Sequence, residues 1–177
     1  MQALRQLGIF GMKALGETSS CENSTSHGTS CAVGKAALEG SEMVDLGTGE
    51  KLTGHWVVEP GREVNTTDVT PLLALSEKFR VHYIAVHLHP FAESLEFRDD
   101  TTNTILFKAN VTAADKNIGI KHIDHFASTE GLQLDPEHNY SLTSIYNNTT
   151  AQNVDSMAVM YLYGAVRNIP AASNIVK

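Results

Sequence analysis

The chain has 177 residues, 42% of them hydrophobic, and a formal net charge of −7 with a pI near 5.5. That length and apolar content suit one domain with a full core, and the acidic balance argues against nucleic acid or an anionic membrane surface as partner. No run approaches the roughly eighteen consecutive apolar residues that a membrane span needs.

Residues 1–53 lack strong periodicity and carry most of the glycine, so they read as an arm or cover rather than as core. The opening MQALRQLGIFGMKALGETSS has an apolar run too short and too broken for a signal peptide, and the sequence reads as a mature or trimmed chain. Cys21 and Cys31 flank a small, polar, loop-like stretch. A disulfide closing that loop is expected, which places the protein in an oxidising compartment, periplasmic or secreted.

From Gly54 the texture changes, and 54–177 reads as the folded domain. Short runs rich in β-branched and aromatic residues alternate with turn chemistry: His55–Val58, Glu63–Val69, Phe79–His89, Ser94–Arg98, Thr104–Ala109, Ile118–Phe126, Leu132–Leu134, Tyr140–Tyr146 and Met157–Tyr163. Glu59-Pro60-Gly61, Asp99-Asp100 and Asp135-Pro136 mark turns, and Pro71–Lys78 is the best stretch for a short helix. The expectation is an all-β fold, an antiparallel sandwich or jelly roll of about eight to nine strands.

The most informative feature is His87-Leu88-His89, at the end of the third run. Residues two apart on a strand point to one face, so both imidazoles project together and can share a metal ion. Proline at 90 ends or edges the strand. Two imidazoles suit copper, zinc, iron or nickel and leave the choice to a third ligand. In the last run, alternation separates Met157, Val159, Tyr161 and Tyr163 from Met160, and Met157 opens the strand just after a polar loop. A thioether is a soft donor that favours Cu(I), so His87, His89 and Met157 form a copper-like set rather than a zinc-like one.

Gly54–Gly61 (GHWVVEPG) with Val64–Val69, then His87-Leu88-His89, then Ser144–Asn148 (SIYNN), and Asp155-Ser156-Met157 leading into Tyr161-Leu162-Tyr163 form an ordered series. It resembles the C-terminal domain of the copper type II, ascorbate-dependent monooxygenases, which include peptidylglycine alpha-hydroxylating and dopamine beta-monooxygenases. The resemblance covers roughly 54–163 and implies a β-sandwich whose His-X-His pair and methionine, here His87, His89 and Met157, hold the copper that meets oxygen. It departs from the family in two places. Residues 1–53 cannot house the second domain, whose three-histidine copper supplies an electron, and Ala158 stands where the family has a cysteine.

The remaining histidines carry weaker signals. Three residues apart on a strand, His122 and His125 face opposite ways, so each is available singly as a fourth ligand, with parity favouring His122. His55 beside Trp56 reads as a packed aromatic neighbour, His82 as structural or exposed, His138 as a solvated turn residue and His27 as part of the polar arm. The expected function is a mononuclear copper protein. With an open position it would use oxygen or peroxide and a small-molecule or protein reductant; with a fourth protein ligand it would be a copper carrier or sensor.

Overall fold

The computed structural model describes residues 4–14, 43–44, 49, 51–114 and 119–165. Among these, thirteen strands and one helical turn follow in order: β1 (Leu4–Phe10), β2 (Lys13–Ala14), β3 (Met43–Val44), β4 (Lys51–Thr53), β5 (His55–Val58), β6 (Gly61–Asp68), α1 (Thr70–Leu73), β7 (Phe79–Leu88), β8 (Ala92–Asp99), β9 (Thr104–Ala113), β10 (Ile120–Ile123), β11 (Phe126–Leu134), β12 (Tyr140–Asn148) and β13 (Val154–Ala165). The all-β sandwich expected from the sequence is what forms. Cys21 and Cys31 lie outside the described residues.

One sheet runs β1-β13-β7-β11, with β5 also paired to β13; the other runs β10-β9-β8-β12-β6; β2, β4 and β3 make a small third sheet. Every pairing is antiparallel. The two larger sheets bury their inner faces against each other because apolar residues recur at every second position. On β12 these are Tyr140, Leu142 and Tyr146; on β13 they are Ala158, Met160 and Leu162. Trp56, Ile84, Leu95 and Phe97 complete the centre.

Three features depart from the sequence reading. First, the strand count exceeds the expected eight to nine because residues before Gly54 add β1 to β4. β1 is no cover: Leu7 and Ile9 enter the core, and Ile9 pairs with Met160 at the edge of β13. Its Leu-X-Ile alternation is real but is diluted by Gly8 and by polar neighbours. Second, the Ile118–Phe126 run divides. β10 joins β9 of the second sheet, β11 joins β7 of the first, and Asp124 and His125 turn the chain between them. Third, the helix is only one turn. Thr70 starts it with Pro71 in its first turn, Leu73 is buried, and Ala74 ends it in the left-handed region at φ 43°.

β13 organises the first sheet. One edge pairs with β7, and the other is shared end to end, β1 opposite Val159–Ala165 and β5 opposite Val154–Met157. After β1 the chain crosses toward the second sheet. Gly11 N–H donates to the Ala158 carbonyl (2.8 Å), and Met12 N–H donates to Thr67 Oγ1 (2.8 Å). The end of the sheet where β5, β13 and β7 meet carries the histidines.

Candidate metal centre

Register fixes which side chains share this end of the sheet. Met157 is directly opposite His55, Asp155 opposite Val57, and Val159 opposite His87. The β13–β7 ladder ends at Ala158 and Leu88, so Met157 and His89 stand level one step beyond it. Opposed residues in an antiparallel ladder face the same way. His55, Asp155, Met157, His87 and His89 therefore occupy one face, opposite to the core face of Ala158, Met160 and Leu162. The expected separation of Met157 from Met160 holds: Met160 is fully buried in the core.

The rings converge. The His87 and His89 centroids are 5.3 Å apart, and those of His55 and His89 are 5.2 Å apart. One donor atom from each of His55, His89 and Asp155 lies within 4.8 Å of the others. Behind His89, Asp155 Oδ2 is 3.0 Å from Nδ1, with both side chains buried. A carboxylate this close to Nδ1 orients the ring, the usual arrangement behind a metal-ligating imidazole. His55 Nε2 is itself buried and has no hydrogen-bond partner.

Burial pushes the His55 imidazole below its ordinary pKa. His89 adds to that and so does His87, while Asp155 opposes it. His87 is lowered too, by burial and then by His89. Crowded, partly desolvated imidazoles resist protonation, and neutral imidazole is the ligand form.

Two devices hold the backbone. Pro90 and Phe91 form a tight turn in which Ala92 N–H donates to the His89 carbonyl (3.4 Å) and Phe91 takes a φ of 72°. Across the core from β12, the buried Tyr146 hydroxyl donates to the Met157 carbonyl (2.5 Å) and accepts from His89 N–H (3.3 Å). It thus ties together the two strands just where their own ladder stops.

Of the four metal residues expected from the sequence, register places His87, His89 and Met157 on one face, while the donor atoms found within 4.8 Å of one another belong to His55, His89 and Asp155. His122 is elsewhere. It is exposed on edge strand β10 of the second sheet, with Nε2 3.3 Å from Asp124 Oδ1. Parity with Ile118 and Ile120 favoured it, but the register shifts between Ile120 and His122, and β10 pairs with β9 in the second sheet, not with the strands that bear His87 and Met157. His125 meets Tyr83, with ring centroids 5.8 Å apart. His82 faces the Ser128 carbonyl (3.0 Å), and His138, expected to be solvated, lies 2.7 Å from Asp99 Oδ2. Sequence reasoning missed His55 as a member of the cluster. Its strand was found, but its pairing partner was not, and only the β5–β13 register sets it against Met157.

The chain matches no protein-family model, no curated protein and no solved structure.

Proposed function

We propose that this protein binds one copper ion through His87, His89 and Met157. The observation that carries the reading is the convergence of the His87 and His89 rings, 5.3 Å apart, on the face that Met157 shares. The donor set fits copper: two imidazoles with a thioether are softer than a structural zinc site. The buried Asp155 on His89 Nδ1 supplies the outer support such a ligand needs. With an open position, copper bound there would supply one-electron chemistry toward oxygen or peroxide, with a diffusible or protein reductant; with a fourth protein ligand it would be carried instead. The expected disulfide and the periplasmic or secreted location belong to the same proposal, because an oxidising compartment suits both.

Titration with Cu(I) and Zn(II) against competing chelators tests the reading. One copper per chain, with Cu(I) held more tightly, is expected. Met157→Leu should weaken Cu(I) and leave Zn(II) unchanged.

A second reading has its own observation. His55, His89 and Asp155 within 4.8 Å make a two-histidine, one-carboxylate set, which suits non-haem iron or zinc. Asp155→Asn separates the two. As a direct ligand, Asp155 is essential; as a support for His89, its loss weakens copper without abolishing it.

A further inference from the structure

We propose that His55 is a fourth ligand, so that the site is a closed centre of three imidazoles and one thioether, built to hold and hand on Cu(I) rather than to expose it to oxygen. This deepens the copper reading and rests on it.

Three observations point to His55. It stands directly opposite Met157 across the β5–β13 ladder, so both side chains leave the same point of the sheet. Its ring centroid is 5.2 Å from that of His89, as close as that of His87 at 5.3 Å. Its Nε2 is buried with no hydrogen-bond partner, and a buried polar nitrogen without a partner needs an explanation. A metal ion is one.

The spacing is compatible. Two donors on one ion with bonds of about 2 Å stand at most about 4 Å apart. One ring nitrogen of His55 and one of His89 lie within 4.8 Å of each other, close to that limit. Asp155 is then a positioning residue. Its carboxylate, 3.0 Å from His89 Nδ1, orients that ring and completes no coordination position itself. With His55, His87, His89 and Met157 bound, a four-coordinate Cu(I) has no place for a further ligand. The chemistry is carriage: no electrons need enter, and release is by ligand exchange with an acceptor.

The test uses the full chain loaded with Cu(I) under argon. X-ray absorption counts nitrogen and sulfur neighbours, and carbon monoxide probes for an open position by its infrared stretch. The expected result is three nitrogens and one sulfur, with no carbonyl adduct. His55→Ala should drop to two nitrogens and one sulfur, bind carbon monoxide, and lose at least about tenfold in Cu(I) affinity. The wild-type measurement needs no variant to fold. A carbonyl adduct on wild-type protein, or two nitrogens with stoichiometric copper, overturns the fourth ligand and leaves the three-residue copper site standing. Failure of the wild type to bind stoichiometric Cu(I) overturns both.

Discussion

Tyr146→Phe is the sharpest single perturbation of the link between fold and site. The ring and its edge contact with Trp56 (centroids 6.0 Å, 81°) are retained; only the hydroxyl goes. That oxygen serves two buried backbone groups, the Met157 carbonyl at 2.5 Å and the His89 N–H at 3.3 Å. A buried polar group left without a partner costs about 1–3 kcal/mol, and the shorter bond carries most of the loss here. The expected destabilisation is about 2–3 kcal/mol in urea, or roughly 5–10 °C in Tm for a domain of this size. Tyr140→Phe is the matched control. Its hydroxyl donates to the Asp135 carbonyl (3.0 Å) and accepts from Asp135 N–H (2.6 Å), at the opposite end of β12 from Tyr146. Both variants should lose similar stability, but only Tyr146→Phe should also weaken copper, by about tenfold, because it frees the strands bearing Met157 and His89. A stability change under about 0.5 kcal/mol, or equal copper affinity in the two variants, would refute the argument.

Other outcomes follow from the same geometry. His87→Ala and His89→Ala should each abolish stoichiometric copper binding while circular dichroism shows an intact sandwich, since neither ring lies on the core face. The urea midpoint should hold for His87→Ala and fall for His89→Ala, which takes the imidazole from beside the buried Asp155 carboxylate. His55 and His87 have pKa values lowered in the fold, so the folded state binds fewer protons than the unfolded one as pH falls. Metal-free stability should be full above the unfolded histidine value of about 6.5 and decline below it, and urea titrations from pH 8 to 5 check the direction. Gly164→Ala should destabilise by about 1–3 kcal/mol or more, because a Cβ there runs into the Phe79 ring and the Arg80 carbonyl oxygen; thermal melts measure it.

What the sequence disclosed was strand content and local pairing of side chains, because period-2 alternation acts over four to eight residues. β5 begins and ends where alternation and the Glu59-Pro60-Gly61 turn put it. His87 with His89, and Met157 apart from Met160, follow from the same parity. What stayed hidden depends on contacts across the chain. β1 is a core strand because β13 offers it an edge more than 150 residues later. His55 joins His89 only through the strand between them, and His122 is away from the site because β10 pairs with β9 in the other sheet. Parity within a strand is written locally; which strands are neighbours is not.

The shared edge of β13 also sets an order of events during synthesis. The chain emerges amino end first, so β1 and β5 are made long before the strand that receives them. His55, His87 and His89 are then already exposed, while Asp155 and Met157 are still to come. A partly made chain thus offers these imidazoles without the Met157 sulfur and without the Asp155 carboxylate beside His89. Any preference for a soft ion can arise only when β13 slots between β5 and β7. A metal captured earlier would be chosen by availability, and one captured afterwards by the finished sheet.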